Sequence, residues 1–293
     1  MITKKNLETE IENLVGLNDM VLAYEEIAAG RIKQSRDSVL RNRTFVFEIN
    51  EIFSEVISSY RKQVKAIMRA KKAKNLDKFS FLNKNGRTLY LLISANAGLY
   101  GSIVKRTFDL FMENSKNTDS DKAIIGKLGL SLWEEANRKE KYYYFDFPDQ
   151  RVDDQLLKKI LDFLISYEKV VVFYGQFQNL VKQEATFSDI SGNSNPEEIK
   201  SKEGAKYFFE PSLTKILEFF EKQIFSSIFE QTVRESQLAK IASRLTTLDT
   251  ASENIYKKLT SVRSEKNRTI HQQQNKKQLE TFASRVLWGQ AKL

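Results

Sequence analysis

Glycines next to a lysine are the first places where this sequence could bind a phosphate. Gly126-Lys127-Leu128-Gly129 follows a predicted strand. It lacks the spacing of a P-loop and the hydroxyl residue that must follow the lysine. Gly98-Leu99-Tyr100-Gly101 also follows a predicted strand, but it lacks the third glycine of a dinucleotide-binding turn. We therefore expect no nucleotide site, and we interpret residues 98–101 as a tight structural turn.

Carboxylate pairs and the one histidine offer little catalytic chemistry. Neighbouring residues on a helix point in different directions, so neither Asp153-Asp154 nor Glu25-Glu26 is a good catalytic pair. Asp153-Asp154 is instead predicted to cap the helix that follows, where the helix dipole favours negative charge. The chain has no cysteine, and His271 is its only histidine, predicted to be exposed. We expect no metal, no cofactor and no catalytic centre.

Basic side chains remain as the main functional chemistry. Residues 1–74 hold 14 Lys and Arg against 10 Asp and Glu, residues 75–211 hold 19 against 20, and residues 212–293 hold 14 against 8. The surplus behind the net charge of +9 therefore lies at the two ends. The candidate contacts for an acidic partner are Lys240, Arg244, Lys257, Lys258, Arg263, Lys266 and Arg268. For any one of them the alternative is a solvated helix face.

Two long helices must position these charges, since three prolines and eleven glycines are few for 293 residues. Apolar residues recur at spacings of three and four from residue 7 to about 67 and again from 238 to 262, which is a heptad seam. Such a stripe needs a partner helix, so we predict a long antiparallel left-handed coiled coil of the two ends. Its predicted core is Leu7, Ile11, Leu14, Val21, Ile32, Val39, Val46, Ile49, Leu238, Ile241, Leu245, Leu248, Ile255 and Leu259.

The seam is interrupted at two places. Glu25 falls on it, and either this carboxylate meets a cation of the terminal helix, such as Arg244, or the seam opens to solvent there. After residue 266 the phase slips, because Leu279, Phe282 and Val286 fall on a different seam. We expect a change of packing partner near the C-terminus.

Between the two ends, short runs rich in β-forming residues alternate with helical stretches. Strands are predicted at 88–94, 122–126, 141–145 and 169–174, with edge strands at 183–188 and 207–209. Helices are predicted at 99–113, 130–138 and 153–167, and a loop at 191–204. This order indicates an inserted Rossmann-like α/β domain with a largely parallel sheet. The predicted division is an N-terminal helix (1–74), an α/β domain (75–211) and a C-terminal helix (212–293).

The sequence has no signal-peptide core and no run of about 18 apolar residues. Together with the absence of cysteine, this predicts a cytoplasmic protein.

Four segments, in this order, resemble the gamma subunit of F-type ATP synthases, the central shaft of a rotary motor. The first, Ile27-Ala28-Ala29-Gly30-Arg31-Ile32, is similar to part of that family's first shaft helix. The second, Ser94-Ala95-Asn96-Ala97-Gly98-Leu99-Tyr100-Gly101, resembles the turn after its first strand. The third, Phe209-Glu210-Pro211-Ser212, precedes the terminal helix. The fourth, Ala242-Ser243-Arg244 with Asp249-Thr250-Ala251-Ser252-Glu253-Asn254, matches the terminal helix itself.

The resemblance implies a non-catalytic rotary shaft on the cytoplasmic face of the cell membrane. The implied partners are alpha- and beta-like ATPase subunits, an epsilon-like subunit, and either a membrane rotor ring or another motor scaffold. It implies contact with the surrounding ring by Lys240, Arg244, Asp249, Asn254, Lys257, Lys258, Glu25, Glu26 and Trp288.

Other interpretations stay open at this point. The chain reads Val21-Leu22-Ala23-Tyr24-Glu25-Glu26 where the family usually has a T-K-A-M-type sequence, so a gamma-like shaft of an F1-like ATPase repurposed for gliding motility is one alternative. A basic coiled-coil adaptor for nucleic acid is a second, which the interleaved acidic residues disfavour. An α/β enzyme with helical extensions is a third, and the middle segment lacks a recognisable catalytic constellation.

Overall fold

The computed structural model describes residues 4–60, 63, 82, 84–116, 120–136, 140–191 and 212–290, with side chains up to residue 284. The described residues fall into two compact units: a smaller one within 1–29 and 245–293, and a larger one within 30–244. Both long helices cross from one unit to the other, so these units differ from the predicted division at residues 74 and 211. The elements, in chain order, are α1 (Lys4–Ser59), β1 (Thr88–Ile93), α2 (Ile103–Ser115), β2 (Asp121–Ile125), α3 (Lys127–Glu135), β3 (Tyr142–Phe145), α4 (Asp154–Leu164), β4 (Lys169–Phe177), β5 (Gln183–Asp189) and α5 (Leu213–Gln290).

The larger unit contains a five-stranded sheet in the order β3-β2-β1-β4-β5. β3, β2, β1 and β4 run parallel, whereas β5 pairs antiparallel with β4 at one edge. The predicted α/β layer and the predicted edge strand at 183–188 are thus confirmed. The predicted strand at 207–209 and most of the predicted loop at 191–204 lie outside the described residues.

Helices cover both faces of this sheet. On one face, Leu89 and Leu91 of β1 belong to a buried cluster with residues of α4 and with Phe225 and Phe229 of α5. On the other face, Leu92 packs in a cluster with residues of α2, α3 and β4, including Trp133. β1, β2 and β4 are therefore buried on both sides, which explains their nearly continuous apolar sequences, whereas the edge strand β3 is mostly exposed.

The last turns of α1 pack against the first turns of α5 in the same unit. Ile49, Phe53 and Val56 form a cluster with Leu217 and Ile224. The seam of α1 can be followed to Tyr60, whereas Gln63, which the heptad count places on the seam, is exposed. α1 ends at Ser59, so the prediction that the seam includes Gln63 is wrong, and Ile67 lies outside the described residues.

In the smaller unit, the first part of α1 pairs with the second part of α5. Their apolar contact consists of Val21, Leu248, Ile255 and Leu259, with Ile11 and Leu14 packed against it. Glu8 pairs with Lys266, Glu10 with Lys258, and Asn18 with Ser252, so partner numbers fall as α1 proceeds. The two helices are therefore antiparallel, as predicted. Within the described parts of the chain, neither these helices nor the shorter ones combine the length and apolar character needed to span a membrane.

Candidate functional site

The predicted coiled-coil core is withdrawn from solvent at every position. In α1, the less exposed residues follow the spacing of three and four from Leu7 to Tyr60, while the residues between them are mostly exposed. The fully buried members of the predicted set are Leu7, Val21, Val39, Ile49, Leu238, Ile241, Leu248, Ile255 and Leu259, and the half-buried members are Ile11, Leu14, Ile32, Val46 and Leu245. In α1 and in α5 beyond residue 248, this is the burial expected of a helix with one main neighbour.

Around this core, the smaller unit exposes most of the residues predicted to contact a partner. Asp249, Asn254, Lys257, Lys258 and Glu26 are all exposed. Several basic side chains in this unit have acidic neighbours, and the nitrogen-to-oxygen distances are 3.8 Å for Lys257–Glu253, 3.4 Å for Lys258–Glu10 and 3.0 Å for Lys266–Glu8. The hydrogen bond from Lys266 lowers the pKa of Glu8. Exposed pairs of this kind are weak and can be exchanged for others.

Glu25 lies half-buried on the seam, next to exposed Glu26. Among the described residues of the smaller unit, Glu25 has no ion-pair partner. The predicted pair with Arg244 would join the two compact units, and it stays a prediction.

Beyond residue 270, α5 continues without cover from its own unit. Every side chain from 271 to 284 is exposed, including His271 as predicted. Leu279 is 69% and Phe282 64% exposed. These two large apolar residues on the second seam are uncovered within the chain. The expected change of packing partner stays a prediction. The side chains of Val286 and Trp288 lie outside the described residues.

Lys240, predicted to contact a ring, is instead part of the interior of the larger unit. It is 5% exposed, and its Nζ donates to the carbonyl of Ser94 at 2.8 Å and lies 3.2 Å from Oδ1 of Asp149. Burial lowers the pKa of this ammonium, whereas the Asp149 carboxylate opposes that shift. The prediction of a partner contact is wrong for Lys240, because α5 is enclosed at this point and the charge is satisfied within the chain.

Asp149 connects Lys240 to the ends of the parallel strands. Its Oδ2 accepts hydrogen bonds from the backbone amides of Asn96 at 2.8 Å and Ala97 at 2.9 Å. The Asn96 side chain donates to the Phe147 carbonyl at 3.0 Å and accepts from the Lys127 amide at 2.9 Å. The segments that follow β1, β2 and β3 are thereby joined in one network at the carboxyl edge of the sheet.

Two further residues of the same turn of α5 bind the loop after β1. The Ser243 hydroxyl donates to the Tyr100 carbonyl at 2.8 Å, and Nη2 of Arg244 donates to the Gly98 carbonyl at 2.7 Å. The Arg244 guanidinium carbon also lies 4.1 Å from the centre of the Tyr100 ring, within cation–π range. We call Lys240, Ser243 and Arg244, with loop 94–101 and Asp149, the clamp. In it, one helical turn donates to three carbonyls of one loop.

Backbone conformation explains Gly101 of this loop and Gly126 beside it. Leu99 and Gly101 have φ values of 66° and 57°, so the predicted tight turn at 98–101 is confirmed. Gly126, with φ of 98°, lies so close to Ala95 that a Cβ atom would be 2.8 Å from its backbone nitrogen. Close packing of backbone on backbone thus accounts for Gly126. Burial, and next the Asp149 charge, raise the pKa of Tyr100 to about 12.

The predicted helix cap is also present. Oδ1 of Asp153 accepts from the amides of Gln155 at 3.0 Å and Leu156 at 3.1 Å, and Asp154 lies in the first turn of α4.

Sequence reasoning missed Asp149, Asn96 and Tyr100 as members of one site. A usable signal was present, because the carboxyl ends of parallel strands meet at the same edge of a sheet. Asn96 follows β1 and Asp149 follows β3. What the sequence did not indicate was that Lys240 of a remote helix would reach this edge.

The comparisons with known proteins agree with this architecture. A family model described as "ATP synthase" matches residues 3–275. The ATP synthase gamma chain of Mycoplasmopsis pulmonis is 26% identical over 275 residues, covering 90% of this chain and 91% of the relative. That of Mesoplasma florum is 25% identical over 260 residues, covering 87% of each chain. The chain belongs to the ATP synthase gamma family.

Solved structures of ATP synthases have the same fold. A chain from the cryo-EM structure of the Euglena gracilis mitochondrial OSCP/F1/c-ring assembly aligns with a TM-score of 0.56 at 12% identity, covering 90% of this chain and 96% of that one. A chain from the central stalk and c-ring of the Tetrahymena thermophila enzyme aligns at 0.53 and 18% identity, covering 80% and 99%. These gamma-family relatives and structures give no support to the gliding-motor alternative.

Proposed function

We propose that this chain is the central rotary shaft of an F1-type ATPase, turning inside a hexamer of alpha- and beta-like subunits. The observation that carries the proposal is the antiparallel pair of α1 and α5 in the smaller unit, on a chain of the gamma family. From residue 271 onward, α5 exposes large apolar side chains that a surrounding ring would cover. A stiff helix pair with an uncovered end suits a part that turns within a sleeve.

Coupling would be mechanical. The two-helix surface of the smaller unit is not symmetric, so rotation would present a different face to each catalytic subunit and bias its open or closed state. The residues we propose for these contacts are Asp249, Asn254, Lys257, Lys258, Glu25, Glu26 and Trp288. Arg244, the other cation predicted to contact the ring, lies in the larger unit, where the clamp holds its guanidinium. Exposed charges contribute roughly 0 to 1 kcal/mol each. Weak contacts of this size allow the shaft to leave one subunit for the next.

The clamp gives the larger unit a firm attachment to α5. Because Lys240, Ser243 and Arg244 hold the loop after β1, a twist applied to α5 would be passed to the sheet and to anything bound to it. We propose that this unit binds an epsilon-like subunit and, in a synthase, a membrane rotor ring. The assembly would then lie on the cytoplasmic face of the membrane, with ATP chemistry in the ring and none in this chain.

A nucleic-acid adaptor is the less favoured function. Several cations of the smaller unit already lie beside carboxylates, which reduces the charge available for phosphate backbones.

Gentle isolation of the chain from its native cells tests the shaft proposal. We expect alpha- and beta-like ATPase subunits in the complex, and rotation of a bead attached to the larger unit when ATP is added. A stable native complex without such subunits would overturn the proposal, and binding to DNA that weakens steeply with salt would favour the adaptor instead.

A further inference from the structure

A polar cleft of about 520 Å³ lies in the larger unit beside the clamp, since its lining residue Gln150 directly follows Asp149. α1, the segment before α4, and α5 each contribute an arginine to its wall: Arg31, Arg151 and Arg234. The other polar lining residues are Gln34, Ser35, Ser38, Gln150, Asp154 and Gln237. Because Arg234 is paired with Glu230, Arg31 and Arg151 against Asp154 leave the lining with a formal charge of +1. We propose that this cleft binds a small phosphate-bearing anion of the polyphosphate class. The proposal does not depend on the rotary function.

The three arginines differ in how far their own chain satisfies them. Nε of Arg234 donates to Glu230 at 2.8 Å, and its Nη1 donates to the Ser38 hydroxyl at 2.7 Å. Within the described residues, Arg31 and Arg151 have no ion-pair partner and no hydrogen bond from their guanidinium groups. Arg31 is half-buried and Arg151 is exposed. Arg234 therefore has a structural role in the wall of the cleft, while the guanidinium N–H groups of Arg31 and Arg151 are free to bind a ligand.

The chemistry of these donors favours phosphate. A guanidinium stays charged at all physiological pH values and presents a planar fork of N–H groups that matches two oxygens of one phosphate. Two forks from separate elements suit an anion with at least two phosphoryl groups better than a single carboxylate. Gln34 and Gln150 add neutral donors, and the volume is in the range of small-molecule sites. The amides of Gln155 and Leu156 at the amino end of α4 already donate to Asp153.

The test measures binding of pyrophosphate to the full-length chain by titration calorimetry at constant ionic strength. Orthophosphate and magnesium-free ATP serve as second and third probes. We expect saturable binding of one pyrophosphate per chain and weaker binding of orthophosphate. Affinity for ATP close to that for pyrophosphate would identify the phosphate chain as the recognised group, whereas much tighter ATP binding would place the base in the cleft as well. The double variant Arg31→Gln with Arg151→Gln should weaken pyrophosphate binding by roughly tenfold or more, since charge-assisted hydrogen bonds are lost.

A matched control separates the cleft from overall charge. Arg36 and Arg41 lie on the same helix as Arg31, are exposed and do not line the cleft. The double variant Arg36→Gln with Arg41→Gln removes the same two charges and should keep the affinity within about twofold. Equal losses in both double variants, or no saturable binding to the wild-type chain, would overturn the proposal. Circular dichroism of each variant verifies that the helices are retained.

Discussion

Two segments of the same helix, α5, differ in how much of their surface is buried. From 232 to 243 almost every side chain is buried, whereas from 248 to 262 the buried residues are Leu248, Ile255, Leu259 and Val262. We call these the inner segment and the outer segment. A helix enclosed on all sides must satisfy its polar groups internally, since a buried unpaired charge is costly. A helix with one neighbour can leave polar groups for solvent or a partner.

The inner segment satisfies its charges through remote partners. Lys240 reaches Asp149, and Glu235, which is buried, accepts a hydrogen bond from Nε of Arg43 at 2.9 Å. Gln237 donates to the Pro148 carbonyl at 3.2 Å. Charges in the outer segment instead pair on the surface, Lys257 with Glu253 one turn away and Lys258 with Glu10 of α1. The helix is thus anchored at one segment and available for contacts at the other.

The largest expected effect is from removal of the buried cation. Lys240→Met leaves the Asp149 carboxylate buried without its ion pair, so the free energy of unfolding should fall by about 3 to 5 kcal/mol. Lys257→Met in the outer segment removes a side chain that is 73% exposed, and should change it by less than about 0.5 kcal/mol. Denaturant unfolding of both variants measures the difference.

A double variant examines the cause. Adding Asp149→Asn to Lys240→Met should recover part of the lost stability, because it removes the unpaired charge. Equal losses for Lys240→Met and Lys257→Met would mean that the two segments do not differ in the way proposed.

The second effect concerns the apolar contact of the outer segment. Ile255→Ala removes buried methyl groups beside Val21, Leu248 and Leu259, and should cost about 2 to 4 kcal/mol. The loss should be local, because this cluster belongs to the smaller unit alone. Amide hydrogen exchange should speed up in residues 7–28 and 248–262 while the sheet keeps its protection. Tyr256→Ala, a truncation at an exposed neighbouring position, is the control, and an equal response from it would contradict the prediction.

The heptad pattern predicts which residues are buried in the outer segment, but only some of those buried in the inner segment. Leu248, Ile255 and Leu259 could be assigned because two helices in contact bury residues at spacings of three and four. Lys240 lies between Leu238 and Ile241, and a lysine between seam positions is ordinarily exposed. The periodicity describes one neighbour, and here the sheet supplies a second.

Small residues in the sequence of the inner segment indicate that a second element, the sheet, packs closely against it. Ser236, Ala239, Ala242 and Ser243 are all buried in the inner segment. A Cβ atom built on Gly175 of β4 would lie 3.5 Å from the Cβ of Ala239, so the helix and the strand approach closely here. The strands themselves were predictable from β-branched and aromatic runs, whereas the reach of Lys240 to Asp149 depends on tertiary packing that no local pattern contains.

A single hydrogen bond of the clamp gives the third effect. Ser243→Ala removes the donor to the Tyr100 carbonyl in a buried place, and should cost about 1 to 3 kcal/mol of unfolding free energy. Ser264→Ala makes the same chemical change at an exposed site two residues beyond the outer segment and should stay within about 0.5 kcal/mol. Thermal or denaturant unfolding of both compares the segments. A larger loss from Ser264→Ala would reverse the comparison.

Alkaline pH should weaken the clamp by a further, smaller amount. The pKa of Tyr100 is raised to about 12 in the folded chain. The stability contributed by the neutral phenol is therefore fully present below pH 10 and is lost as the pH rises through the pKa of the folded state. The free energy of unfolding of the wild-type chain should fall between pH 10 and 12. That of Tyr100→Phe should fall less, and the difference between the two falls should be up to about 1 kcal/mol at pH 11. Both proteins are unfolded in denaturant at a series of pH values. Parallel curves would exclude Tyr100 as a source of the decline.

The smallest effect is expected for a surface ion pair of the outer segment. Lys258 and Glu10 lie 3.4 Å apart, with side chains 60% and 43% exposed, so Lys258→Gln should cost roughly 0.5 kcal/mol or less. A double-mutant cycle with Glu10→Gln isolates the pair, and 0.5 M salt should reduce its coupling further. A coupling energy of several kcal/mol would mean that the charges of the outer segment are as firmly paired as those of the inner segment. Lys258 could then no longer exchange partners at low cost, and the proposed role of these charges as passing contacts would fail.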